Sequence, residues 1–259
     1  MDLINVKNKV IEISENTDLS NLLYESELAF SENRIPRIIH FCFLDYENMS
    51  DAHLSYLSTW FTILNDNWIF VNWTPIISPV VCEFESYVLQ ENKFAFYSDY
   101  MRVKKVWEYG GFYMDCDVIM YKNFEPLLDL NYVVGTEFEK PFVEPAIFGA
   151  KKHNYFIKMI KDKYEISTQK EYEKCCTNFL APLFWRNTLG LNGVTMDPNT
   201  FDNIENYRNK VNVENLRIMY MLNSSFLCCP PIKSTWTGIQ SEPNENTFTS
   251  HMYASTWSY

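Results

Sequence analysis

Positive charge is in short supply in this chain: 22 Lys and Arg stand against 33 Asp and Glu, a formal net charge of −11 over 259 residues. A field of that sign repels nucleic acid and anionic lipid, so neither is expected as a partner. It repels a nucleoside diphosphate equally, and an acidic protein that binds one needs a cation or local Arg and Lys to reverse the sign at the site. C-x-x-C spacing is missing, although there are 7 cysteines, including the adjacent pairs Cys175–Cys176 and Cys228–Cys229. An odd count with no export signal reads as a reduced, cytoplasmic protein. The opening MDLINVKNKV has no basic start followed by an apolar run, and so does not read as a signal peptide. The most apolar region, Trp68 to Cys82, is interrupted by Asn72, Thr74, Pro75, Ser78 and Pro79. No segment reads as long enough to span a bilayer, which leaves at most peripheral membrane contact. Internal repeats and low-complexity tracts are also missing.

What is present is apolar bulk. Hydrophobic residues make up 47% of the chain and aromatics 17%, enough to bury a full core in one domain, with or without an appendage. Residues 1–33 stand apart. Leu19, Leu22, Leu23 and Phe30 recur near helical spacing after Asp18, which reads as an N-terminal helical appendage packed on a main domain over 34–259. From Ile35 the pattern alternates. Ile38 to Leu44 reads as a buried parallel strand, Asp51 to Leu64 as a helix and Trp68 to Trp73 as a second strand. Phe94 to Tyr109 reads as a helix stopped by Gly110-Gly111, and Phe112 to Met114 as the strand after it. Tyr155 to Tyr164 and Phe179 to Thr188 read as further helices, and Pro230-Pro231 as the start of an irregular tail. Such alternation predicts an α/β domain, whose ligands gather at the carboxyl ends of the strands.

The chemistry concentrates between Lys93 and Tyr121. Asp115 and Asp117 flank Cys116 between apolar segments, and in an extended backbone side chains two apart point the same way. A carboxylate pair so placed can converge on one hard cation, the usual partner of a diphosphate. Asp99 and Arg102 lie three apart on the expected helix, where they are neighbours on its surface. Taken alone they read as an ordinary surface ion pair, and a lone D-x-D reads as a loop.

Together these residues carry a resemblance. Ala95, Ser98, Asp99 and Arg102 followed by Tyr109, Gly110, Gly111, Tyr113, Asp115 and Asp117 resemble the pattern A-x-x-S-D-x-x-R then Y-G-G-x-Y-x-D-x-D. That pattern belongs to the family of DXD sugar-binding glycosyltransferases, which includes bacterial capsular-polysaccharide enzymes and the yeast initiating α-1,6-mannosyltransferase. A more distant similarity runs to the glucosyltransferase domain of the large clostridial toxins. Ile35 to Phe43 is similar to the family's first strand, I-P-K-x-I-H-x-x-W, and His251 to Trp257 to its closing H-H-x-x-x-S-W.

The resemblance implies a GT-A, Rossmann-like nucleotide-sugar-binding fold with a mostly parallel central sheet flanked by helices. It implies a metal-dependent and retaining hexosyltransferase using Mn²⁺ or Mg²⁺. The donor would be a nucleotide-sugar, with a UDP-sugar favoured, and the acceptor a saccharide, free or lipid-linked, in capsule or O-antigen synthesis in a bacterium. The rival readings are a toxin-like effector that glycosylates a host protein and a nucleotide-sugar-binding protein without turnover. By position, Asp99 and Arg102 would hold hydroxyls of the donor sugar, with Asp115 sharing the catalytic centre. Asp115, Asp117 and His251 would hold the metal. Phe43 would stack on the base, with Cys42, Ser98, Tyr113, Ser255 and Trp257 also around the donor. Met252 stands where the family has a second His, and a thioether is a poor ligand for such ions. Pro145 stands where the family tends to have Asn, and Glu144 beside it reads as a loop acid, the alternative being an approach to the sugar's anomeric face.

Overall fold

The computed structural model describes residues 10–12, 33–64, 66–74, 80–136, 142–167, 170–171, 181–213, 215–227 and 242–253. In chain order they form β1 (Val10–Glu12), β2 (Ile38–Phe41), α1 (Asp51–Ile63), β3 (Ile69–Asn72), α2 (Glu83–Gln90) and α3 (Phe94–Tyr109). Then come β4 (Gly111–Met114), β5 (Val118–Met120), β6 (Tyr132–Thr136), β7 (Val143–Ala150), α4 (Tyr155–Ile166) and α5 (Ala181–Leu191). The last are β8 (Thr195–Phe201), α6 (Ile204–Val211), β9 (Ile218–Leu222), α7 (Ser224–Leu227) and β10 (Thr249–His251).

The central strands form because their sequences suit burial on both faces. All residues of β2, β4, β6 and β7 are buried, and they are rich in Ile, Val, Phe and Tyr. Helix α1 begins at Ser50, whose hydroxyl accepts from the His53 N–H, and buries Leu54, Leu57, Trp60 and Phe61 at helical spacing. The eight strands lie in the order β1-β3-β2-β4-β7-β6-β9-β8. Pairing is parallel everywhere except β4–β7 and β6–β7, so β7 alone runs against the rest. The carboxyl ends of β2, β3 and β4 and the amino end of β7 therefore meet at one edge. That is the edge at which α/β sheets take their ligands.

One junction fixes the register at this edge. Helix α3 stops at Gly110 (φ 71°), and Gly111 (φ 101°) opens β4, both left-handed backbones that a side chain resists. A Cβ on Gly110 would come within 2.7 Å of the Pro36 ring, and one on Gly111 within 2.7 Å of the Ile38 carbonyl. His40 closes the junction. Its Nδ1 accepts from Trp73 Nε1 at 3.0 Å, which leaves Nε2–H to donate to the Gly110 carbonyl at 2.7 Å. Burial lowers the pKa of this fully buried imidazole to about 4, so it is neutral around pH 7.

Several sequence expectations change here. Val10–Glu12 pair with β3 as an edge strand of the main sheet, in a region expected to be a helical appendage. The helix expected after Asp18 lies outside the described residues, as do Pro230-Pro231, both adjacent cysteine pairs, Ser255 and Trp257. Glu144, read as a loop acid, lies in the fully buried strand β7, to which β4 and β6 each offer a ladder. Pro145 is tolerated there because the β6–β7 register shifts beside it, where no ladder N–H is required. The tail also holds regular structure, since Thr249–His251 pair antiparallel with β5. Among the described residues, no helix is long and apolar enough to cross a membrane.

Candidate active site

The Asp-Cys-Asp segment sits in the turn between β4 and β5. The Val118 N–H bonds to the Asp115 carbonyl at 3.1 Å, so the two carboxylates converge through a tight turn and not by strand alternation. The turn is held on several sides. The Asp115 N–H donates to the Ala146 carbonyl on β7 at 2.9 Å, and Trp60 Nε1 on α1 donates to the Val118 carbonyl at 2.7 Å. The Met120 N–H donates to Thr59 Oγ1 at 2.9 Å.

Arg102 reaches this turn from α3. It is 5% exposed, and its Nη2 lies 2.8 Å from Asp99 Oδ1 and 3.4 Å from Asp115 Oδ1. Nη1 donates to the Pro145 carbonyl at 2.8 Å, so the backbone of β7 carries part of the grip at the position where relatives tend to have Asn. Ser98 assists: Nε donates to its carbonyl at 3.3 Å and Nη2 to its hydroxyl at 3.4 Å. The guanidinium lies 4.7 Å over the Tyr113 ring, whose hydroxyl donates to Asp115 Oδ1 at 2.7 Å. Tyr113 is itself 1% exposed, so it reaches the site through that hydroxyl.

The electrostatics follow from this crowding. Burial works against the Arg102 charge, but Asp115, Tyr113 and Asp99 outweigh it and hold its pKa above the ordinary value. Burial pushes the Asp99 carboxyl up to about 6, with Arg102 pulling the other way. Asp115 is raised by burial, opposed by Arg102 and reinforced by the Asp117 charge. The Asp117 charge adds to the rise at Asp115, and a cation between those two carboxylates would relieve that repulsion.

A third group arrives from the tail. In the β5–β10 ladder His251 sits opposite Val118, and its Nε2 lies 3.3 Å from Asp117 Oδ1. Met252 contributes its N–H to the Asp117 carbonyl at 2.9 Å. One ligand atom from each of Asp115, Asp117 and His251 can be drawn so that all lie within 4.8 Å of one another, the one such cluster among the described residues. Two carboxylate oxygens and an imidazole nitrogen fit Mn²⁺ or Mg²⁺ by donor type.

At the end of β2, Asn72 clamps Phe43: its side-chain oxygen accepts from the Phe43 N–H at 2.8 Å and its amide donates to the Phe43 carbonyl at 2.9 Å. The Phe43 ring is half-buried, 5.3 Å from His53. Cys42 packs partly against the core, and burial pushes its thiol up to about 12, so it is a neutral surface and not a thiolate.

Sequence reasoning missed two features. Glu144, read as a loop acid, is 3% exposed on β7 and faces His251. Tyr253 folds its ring over His251 with centroids 3.9 Å apart. The signal for His40 lay in the I-P-R-I-I-H segment, but nothing in the segment pointed to Gly110 as its partner.

The part of the chain that carries this site is similar to a family of glycosyltransferases. Residues 47–134 match the family model described as the glycosyltransferase sugar-binding region containing a DXD motif. The match takes in Asp99, Arg102, Asp115 and Asp117 and leaves out Glu144 and His251. No curated protein matches the chain. Among solved structures, one described as "PaToxG Glycosyltransferase" is similar at 17% identity and a TM-score of 0.47, over 67% of this chain and 77% of that one. Another is described as a glycosyltransferase involved in the glycosylation of the major capsid of PBCV-1. It is similar at 12% identity and a TM-score of 0.39, over 84% of this chain and 94% of that one.

Proposed function

We propose that the protein moves a hexose from a nucleotide-sugar donor, a UDP-sugar, to a saccharide hydroxyl in surface-polysaccharide synthesis, working from the cytoplasm on a free or lipid-linked acceptor. The observation that carries the reading is the convergence of Asp115, Asp117 and His251 beside an arginine already fixed by Asp99. Those three residues would hold Mn²⁺ or Mg²⁺, which neutralises a diphosphate and makes it a better leaving group.

The chain's own residues then divide the work. Arg102 and Asp99 orient the donor sugar through its hydroxyls, and the Arg102 charge favours the negative charge that grows on the leaving diphosphate. The neutral Phe43–Cys42 rim takes the base, with Phe43 as the stacking surface. Ser255 and Trp257 belong, on this reading, to a closing tail that keeps water from the donor. The Pro145 departure leaves the grip on Arg102 intact, because a backbone carbonyl supplies the contact. This favours turnover over a binding-only protein.

Purified protein supplied with Mn²⁺ and a panel of UDP-hexoses, their N-acetyl forms and GDP-mannose should slowly hydrolyse one or two UDP-sugars. Asp117→Asn should remove that activity while shifting the melting temperature by no more than a few degrees. Turnover that ignores chelation, or that survives in Asp117→Asn with unchanged Mn²⁺ dependence, sinks the reading. Turnover of GDP-mannose alone replaces the donor.

A further inference from the structure

The cluster Glu144, His251 and Tyr253 lies outside the matched region. Glu144 comes from the amino end of β7 and His251 and Tyr253 from the tail, so two segments remote in sequence meet beside the Asp-Cys-Asp turn. The Glu144 side chain is only 4% exposed. A buried carboxylate is costly unless it is engaged. Its Oε1 accepts from the Ala146 N–H at 2.9 Å, which fixes the group against its own strand, and its Oε2 accepts from the Tyr253 hydroxyl at 3.3 Å. Oε1 also faces His251 Nδ1 at 3.7 Å, while the opposite nitrogen, Nε2, faces Asp117.

Tyr253 reinforces this geometry at a conformational cost. Its φ of 51° is a left-handed backbone, which a residue with a side chain resists. The conformation lays the ring on His251 and brings the hydroxyl to Glu144. Strain of this kind persists where surrounding contacts over-determine it.

We infer that Glu144 is a positioning residue: a small ring movement on cation binding closes the 3.7 Å gap so that its carboxylate takes the Nδ1–H of His251, and the ring presents its Nε2 lone pair to a divalent cation shared with Asp115 and Asp117. The inference rests on the metal-dependent reading above and adds a carboxylate–imidazole–cation relay with Tyr253 as its strap. A ligating imidazole needs one nitrogen bare and the other tied down, and a carboxylate on the second nitrogen sets both the tautomer and the ring angle. The relay also accounts for the tolerance of Met252. One well-oriented imidazole beside a buried acid supplies a nitrogen ligand that the Met252 thioether cannot.

The test is Mn²⁺ binding to the full chain, read by the loss of the free-ion electron paramagnetic resonance signal. Glu144→Gln should bind Mn²⁺ about 10- to 100-fold more weakly than wild type, with metal-free unfolding unchanged. Tyr253→Phe, which leaves the carboxylate in place, should show a smaller loss. Should Glu144→Gln fail to fold, the wild-type chain labelled with ¹⁵N-histidine and loaded with ¹¹³Cd²⁺ still decides. Cadmium coupling to Nε2 of His251 supports the relay, and coupling to Nδ1 overturns it. Wild-type Mn²⁺ binding matched by an equally tight Glu144→Gln variant overturns the role of Glu144 alone. Failure of the wild type to bind Mn²⁺ overturns the metal-dependent reading and, with it, the relay.

Discussion

The two halves of the site are built differently. One half, Ser98, Asp99, Arg102, Tyr113 and Asp115, comes from a single helix, the strand after it and the turn beyond, and its contacts are dense. Arg102 alone touches two carboxylates, a carbonyl from β7 and the Ser98 backbone, over an aromatic face. The other half, Glu144, His251 and Tyr253, is assembled from segments 109 positions apart, with the Tyr253 hydroxyl 3.3 Å from Glu144 Oε2 and His251 Nδ1 3.7 Å from Glu144 Oε1. A dense, local half behaves as preformed scaffold. The second half depends on where the tail docks, which no local rule sets.

The largest expected effect breaks the dense half. Arg102→Ala leaves Asp99 and Asp115 facing each other with burial still raising both, and should cost about 3–5 kcal/mol of stability along with all transfer activity. Arg102→Lys should regain part of the stability but little activity, since an ammonium cannot reproduce the forked contacts. Urea unfolding of the three proteins checks this, and an Arg102→Ala variant as stable as wild type contradicts the scaffold picture.

Next comes the junction beneath that half. The His40 pKa is near 4 in the folded chain against an ordinary 6.5, so unfolding takes up a proton between those values. The contribution of the neutral ring is therefore complete above pH 6.5 and is lost as pH falls toward 4, about 3 kcal/mol at most. Unfolding free energies across pH 7 to 4.5 should fall more steeply for wild type than for His40→Gln. Equal slopes mean that the ring is not held neutral.

The smallest effect sharpens the contrast at the rim. With its backbone clamped by Asn72, Phe43 should lose nucleotide affinity by about 1–3 kcal/mol on truncation to Ala while stability changes little. If cooperative unfolding suffers and affinity survives, Phe43 belongs to the scaffold and not to the donor surface.

The dense half was legible because its logic is local. A helix brings residues three apart side by side, and Phe94–Tyr109 has the bounds its pattern and Gly110 imply. The same local rule failed at the Asp-Cys-Asp segment. Strand alternation was assumed for Asp115 and Asp117, but β4 ends at Met114. The turn beyond it is shaped by the Ala146 carbonyl and by Trp60 from a helix far earlier in the chain.

The amino-acid sequence by itself determined the α/β alternation, the Asp99–Arg102 pair and the presence of a carboxylate pair after a buried strand. These depend on periodicity, helix geometry and a glycine stop, all set within a few residues. Only the tertiary structure decided that Glu144 is buried and not in a loop, that β7 runs against its neighbours, and that His251 docks beside Asp117 with Tyr253 across it. Strand partners and tail docking are chosen by which surfaces remain open once the core has closed, and no local pattern in the chain encodes that choice.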